Sequence, residues 1–286
     1  MTDDAAVHDP DWLGFDWSPW LSLSPGDDEV GTLAADPGLY RVRHDAYDGL
    51  VFVGGTGRSL LGRVRALVRE AYGDEMPYKD PHTAAPALWA IRDRHGPGLE
   101  VSGVTPPEAT DARERRAIED ALIGIHRRET GTNLVANFGR MPPGYTKSGR
   151  RGSRVRGGPS DDADRDFRAG IDPLPWTNVD GVTDRDWLGL SWSRPLELAA
   201  EGADVPDAAG LYRLRDPESS PPLEYVGETI SLADRFRAYR RNHDDHLTFS
   251  WVTRPDAAER FQLSQAAGSL RGAHWLACGV PPRDQY

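Results

Sequence analysis

The sequence predicts an α/β chain of two tandem small domains, each a three-stranded antiparallel sheet flanked by helices. Three observations carry this. Residues Gly38–Arg63 read as a β-hairpin running into a helix. The same text returns at Gly210–Arg235. After each, a third strand and a long helix follow at a common spacing, which makes a small layered α/β unit.

In the first copy, Gly38–His44 sets apolar Leu39 and Val42 among polar neighbours, and Leu50–Val53 is a short apolar run. Asp48-Gly49 between them is a turn signal, so the pair is expected to fold as an antiparallel hairpin. Gly54-Gly55-Thr56-Gly57-Arg58 is expected to break the strand, with Ser59 capping a helix over Leu60–Tyr72. Arg63 falls in the first turns of that helix. A tyrosine (Tyr40), a glycine-rich turn and an arginine would then meet at one spot, as a phosphate site requires. A third strand is expected at Leu99–Thr105 and a long helix over roughly Glu108–Arg128, with Ile118, Leu122 and Ile125 on one face.

The second copy follows in register. Asp11–Ser18 is repeated at Asp186–Ser193, at an offset of 175 residues; Tyr40 and Arg63 recur as Tyr212 and Arg235, at 172. Leu99–Thr105 and Leu122–His126 recur as Leu247–Thr253 and Leu270–His274, at 148. The drop from 172 to 148 places about 24 extra residues in the first copy, near Asp74–Pro97, including Asp80-Pro81-His82-Thr83 and a helical pattern at Ala84–Arg94. The organisation read from this is a first domain over 1–139, a linking segment over 140–180, and a second domain over 181–286. Residues 1–10 read as a frayed tail.

A single cysteine, Cys278, leaves no internal disulfide and suits a reducing, cytoplasmic setting. No apolar run approaches the ~18 residues of a membrane span, and the N-terminal ten residues are polar, so neither a membrane anchor nor a signal peptide is expected. The net charge of −11 is unusual for a nucleic-acid binder. All but two of the 34 basic residues are arginine, the lysines being Lys79 and Lys147. Scattered carboxylates with arginine in place of lysine resemble a halophile's composition, where net charge reports solubility rather than partners. An acidic protein from a GC-rich mesophile has the same look. Against this background, Arg140, Lys147, Arg150, Arg151, Arg154 and Arg156 form a run of six cations with no acidic residue between 140 and 156. It is glycine- and serine-rich and reads as a loop or mobile arm suited to phosphate contact. Asp161, Asp162, Asp164 and Asp166 follow as an acidic linker.

The pattern Gly38-Leu39-Tyr40, Phe52-Val53-Gly54, Thr56, Leu60, Arg63, present again as Gly210-Leu211-Tyr212, Tyr225-Val226-Gly227 and Arg235, resembles the GIY-YIG nuclease superfamily. The resemblance implies a metal-dependent endonuclease that hydrolyses DNA phosphodiesters. Tyr40 would be the tyrosine that orients or deprotonates water, and Arg63 the arginine on the scissile phosphate. Glu119, in an E-x-x-L-I pattern with Leu122 and Ile123, would hold one Mg²⁺ or Mn²⁺. Gly54 and Thr56, with Arg140, Lys147, Arg150, Arg151 and Arg154, would contact substrate. Asn133 or Asn137 would be the asparagine that follows the metal helix.

The match departs in two places. The second motif tyrosine is Phe52, which lacks a hydroxyl, and Leu67 stands where some members carry a histidine. His82 is a candidate to take over the lost task, although a helix-capping or surface histidine would look the same. The second copy keeps Tyr212, Tyr225 and Arg235 but places Ala267 at the position of Glu119 and has only Glu259 nearby, so it reads as catalytically dead. Trp12, Trp17, Trp187 and Trp192 recur before each first strand and read as a hydrophobic clasp rather than a base-stacking platform. His243-Asp244-Asp245-His246 lacks zinc spacing and reads as a solvated loop. The alternatives to a nuclease are an inactive nucleic-acid-binding module and, less suited to the basic segment, a protein scaffold.

Overall fold

The computed structural model of the chain describes residues 6–26, 28–160, 169–200, 202–242 and 246–286. The chain divides into two compact units, Met1–Arg115 with Thr132–Ala169, and Arg116–Gly131 with Gly170–Tyr286. Both are mixed α/β with antiparallel sheets.

In the first unit, β1 (Leu21–Ser22), β2 (Gly38–His44), β3 (Leu50–Thr56) and β4 (Leu99–Val104) form one sheet in the order β1-β4-β2-β3. In the second, β7 (Leu196–Glu197), β8 (Gly210–Arg215), β9 (Tyr225–Thr229) and β10 (Thr248–Thr253) form a sheet in the order β7-β10-β8-β9. Each sheet thus has four strands where the sequence predicts three. The added strand is a two-residue edge, Leu21 opposite Val101 and Leu196 opposite Phe249, too short to leave a periodic signal. The registers agree: Tyr40 faces Gly54 and Gly103, and Tyr212 faces Gly227 and Trp251. Gly38 and Gly210 open the central strands because a Cβ there would collide with the carbonyls of Val104 and Val252.

Helix α1 (Leu60–Ala71) begins where the sequence places it, with Ser59 Oγ accepting the Gly62 N–H at 3.0 Å. Its stripe Leu60, Val64, Leu67, Ala71 is buried on the sheet, each leucine worth about 2 kcal/mol of burial. Strand β3 runs on to Thr56 instead of breaking at Gly54, because Gly54, Gly55 and Thr56 pair with Tyr40, Leu39 and Gly38. Helix α2 (Ala85–His95) lies in the insertion and joins the same core through Leu88, Trp89 and Ile91. Helix α3 (Ala112–Thr130) has its counterpart in α5 (Arg260–Cys278), with both ends displaced by 148 residues. Helix α4 (Leu232–Asn242) is the counterpart of α1. Among the described residues no helix is long and apolar enough to cross a membrane.

The stretch before each sheet is folded in. Residues Ala6–His8 form a 3₁₀ turn with Val7 fully buried, so the tail expected over 1–10 is not frayed at 6–10. The cause is Arg41, whose buried guanidinium donates to the carbonyls of Val7 (2.6 Å) and Asp9 (2.8 Å) and stacks on Trp17 at 4.5 Å. Arg213 repeats this on Val182 (2.6 Å), Asp184 (2.8 Å) and Trp192 (4.4 Å). The indoles of Trp12, Trp17, Trp187 and Trp192 are all buried, as a clasp requires and as base stacking would forbid.

The basic segment is not a mobile arm over its described part. It carries a short pairing of β5 (Tyr145–Thr146) with β6 (Gly158–Pro159) and a 3₁₀ turn at Arg151–Ser153. Tyr145 donates to Asp93 on α2 at 2.9 Å and packs edge-on against Trp89. The acidic run at 161–168 and His243–Asp245 lie outside the described residues.

Candidate functional site

At the N-terminus of α1, a pocket of about 320 Å³ is lined by Thr56, Arg58, Ser59, Arg63, Pro81 and His82, among others. Its shape follows from local structure. The end of β3 delivers Thr56, whose Oγ1 accepts the Arg58 N–H at 3.2 Å and tightens the turn. The first N–H groups of the helix are already taken: Leu60 N donates to Asp36 O, Leu61 N to Ala34 O, Gly62 N to Ser59 Oγ and Arg63 N to Ser59 O. Arg63 sits one turn inside. The guanidinium of Arg115 packs onto the backbone of Gly57 and donates to Ala109 O at 2.7 Å. Arg58 and Arg63 line the pocket, so its cationic side chains, and not the helix N–H groups, carry the chemistry of an anion site.

Arg63 Nη1 lies 2.9 Å from His82 Nδ1. A guanidinium can only donate, so Nδ1 accepts and the neutral ring carries its proton on Nε2. His82 is buried, not a surface or merely capping histidine. Burial first, then Arg63 and Arg69, lower its pKa to about 4. The insertion thus supplies a neutral acceptor that fixes Arg63 without cancelling its charge.

Two helical turns beyond Arg63, Glu70 is half-buried and its Oε2 has no hydrogen-bond partner among the described residues. Burial raises its pKa to about 7 against the opposing pull of Arg69, Arg63 and Arg151. Neither Glu70 nor Arg115 belongs to the sequence pattern. Glu70's place seven residues after Arg63 on one helix was the only available signal.

Tyr40 faces the α1 side of the sheet, its ring buried against Phe52 at 5.7 Å between centroids. Gly54 allows this, since a Cβ there would strike the Phe52 ring and crowd that of Tyr40. Gly227 does the same for the stacked rings of Tyr212 and Tyr225. Tyr212 OH lies 3.3 Å from Tyr239 OH, and burial first, then Tyr239, hold the Tyr212 hydroxyl far above its ordinary pKa.

Asn137 is engaged with the hairpin. Its side chain accepts from Val53 N at 3.0 Å and donates to Val53 O at 2.8 Å, like one more strand residue. Gln285 takes this place in the second unit, accepting from Val226 N at 2.9 Å. Both are structural pins.

Glu119 is half-buried on the part of α3 that belongs to the second unit, while Tyr40, Arg63 and His82 belong to the first. The same stretch of α3 is tightly held. Asp120 takes Arg271 Nε at 2.6 Å and Tyr286 OH at 2.5 Å, and buried Arg127 donates to Gln265 O, Ser269 Oγ and Ile171 O. Among the described residues no group of three or more His, Cys, Asp or Glu is placed to hold a metal ion. Glu119 offers one carboxylate. Ala267 occupies the matching place on α5, and Glu259 is that helix's N-cap, tied to Gln262 in a capping box.

The residues expected to bind substrate divide into two groups. Arg140 is buried and donates to Leu134 O at 3.0 Å, and Lys147 Nζ donates to Gly139 O at 3.0 Å. Burial lowers the Arg140 pKa. Arg140 is therefore a carbonyl cap and not a phosphate contact. Arg150, Arg151 and Arg154 are exposed. Compared with models of protein families, with curated proteins and with solved structures, the chain matches none.

Proposed function

We propose that the protein is a metal-dependent endonuclease of the GIY-YIG kind that hydrolyses DNA phosphodiesters at a single centre in its first copy. The observation that carries this reading is the pocket at the start of α1, in which Arg63 is held by neutral His82. A phosphodiester bound there would place its non-bridging oxygens on Arg63, with Arg58 beside it on the same pocket wall. A fixed guanidinium beside a neutral acceptor keeps its full charge for the charge that develops on phosphorus oxygens during attack. Tyr40 would orient the attacking water, and a bound Mg²⁺ or Mn²⁺ would supply charge neutralisation for the leaving oxygen. The neutral His82 ring keeps Arg63 pointed at the phosphate through Nδ1.

A second reading, a nucleic-acid-binding module without catalysis, is favoured by Phe52. Its ring fills the place of a hydroxyl next to Tyr40 and can neither orient water nor give up a proton.

Incubation of supercoiled plasmid with Mg²⁺, Mn²⁺ or EDTA, at low and molar salt, separates the two. The nuclease reading expects nicked circles with metal and none with EDTA. DNA binding with no cleavage under any of these conditions would overturn it in favour of the binding module.

A further inference from the structure

The insertion in the first copy and the basic segment that follows that copy lie far apart in sequence, yet they are built into one surface. Lys79 N donates to Gly149 O at 3.1 Å, and Arg151 N donates to Asp80 Oδ1 at 2.7 Å. Arg156 donates to Met76 O at 2.9 Å and pairs with Glu75 at 3.2 Å. The ring of Tyr78 lies under both Arg156 (4.5 Å) and Arg151 (5.8 Å). Arg150 and Arg154 stand exposed on the same turn, with no hydrogen bond or ion pair from either guanidinium among the described residues. The second copy has no counterpart of the insertion.

This surface runs into the pocket. Asp80, which receives Arg151, is two residues before His82, which receives Arg63. Two residues of chain reach at most about 7 Å. An exposed set of arginines is thereby fixed, by an aromatic ring and backbone bonds, beside the cations of the α1 pocket.

We propose that the insertion is an anchor that holds Arg150, Arg151, Arg154 and Arg156 as a rigid track for the phosphate backbone of a nucleic acid flanking the α1 pocket. The proposal rests on the nuclease reading for its occupant. Its own content is that Tyr78 and the insertion pre-organise the track. Fixing the backbone that carries these arginines, with Arg151 and Arg156 held on Tyr78, before binding removes part of the entropy that a free loop would lose on contact. In a chain of net charge −11, four arginines gathered on one turn are the complement of a polyanion.

The test is binding of a fluorescent 20-base-pair DNA duplex to the full chain in EDTA, followed by polarisation over a salt series. The R150A/R154A double variant removes two exposed charges from the surface. It should flatten the slope of log affinity against log salt by roughly 2, since each phosphate contact contributes about 0.9. Tyr78→Leu removes no charge; it should lower affinity about 5- to 10-fold with the salt slope unchanged. If Tyr78→Leu, with an unaltered circular dichroism spectrum, and R150A/R154A both bind as wild type does while Arg63→Ala binds weakly, the track is overturned and the pocket reading stands. If the wild type itself fails to bind at low salt, the nuclease reading falls and takes the track with it.

Discussion

Arg63 Nη1 is 2.9 Å from His82 Nδ1, and the histidine comes from a segment that only the first copy possesses. In the second unit the equivalent Arg235 lies over the ring of Tyr212 at 5.7 Å instead, and Tyr239 closes on the Tyr212 hydroxyl. The two copies build sheets of the same strand order but differ in what surrounds their arginine. One holds it with a neutral acceptor at the rim of a pocket, and the other lays it on an aromatic cluster.

The His82 ring should stay neutral well below the usual histidine range. Its pKa is about 4 against 6.5, so it contributes stability that is fully present above pH 6.5 and lost as pH falls through 4. Proton NMR of the ring should show no titration between pH 5 and 8. A midpoint near 6.5 would mean that the ring is solvated and does not hold Arg63.

Glu70 makes the opposite prediction. Its pKa is raised to about 7, so the burial of its carboxyl costs nothing below pH 4.5, and the cost grows until the group is ionised above pH 7. Glu70→Gln should therefore stabilise the protein at pH 8 by on the order of 1 kcal/mol, allowing for solvent screening of a half-exposed group. It should have little effect at pH 4. Urea melts at the two pH values measure this, and an equal effect at both would contradict it.

The Asp120–Arg271–Tyr286 cluster is an ion pair with little exposure, and removing one partner leaves the other charge stranded. Arg271→Met should cost about 3–5 kcal/mol by urea denaturation. Tyr286→Phe removes only a hydrogen bond to a carboxylate and should cost about 1.5–3 kcal/mol. A loss below 1 kcal/mol for Arg271→Met would show that α3 is held by its apolar contacts alone.

Arg41 and Arg213 occupy matching clasps, each with three carbonyls to satisfy. Arg41→Leu and Arg213→Leu should each cost about 3 kcal/mol, because the stranded carbonyls stay buried. Separate thermal melts of the two variants test this. A neutral result in either copy would mean that water replaces the guanidinium there.

Much of this architecture was legible in the sequence because it was written twice. The offsets of 172 and 148 residues located the strands, α1, α3 and α5, and Ser59 announced its helix by type and position. The edge strands β1 and β7 were not legible, since two residues carry no periodicity. Nor was the fate of the basic run. Arg140 and Arg150 look alike as letters, but one caps a buried carbonyl and the other faces water, a difference made by tertiary contacts alone. Thr56 and Arg63 carried a motif. His82 carried none, because its partner is 19 residues away on another element.

The central claim is one active centre, in the first copy, and the most direct test is plasmid nicking in Mg²⁺ by Arg63→Ala and Arg235→Ala side by side. The account predicts that Arg63→Ala loses nicking by at least about 100-fold, in line with removal of one transition-state donor, while Arg235→Ala nicks at a rate within a few-fold of wild type. Equal loss in both variants, or loss in Arg235→Ala alone, would contradict it.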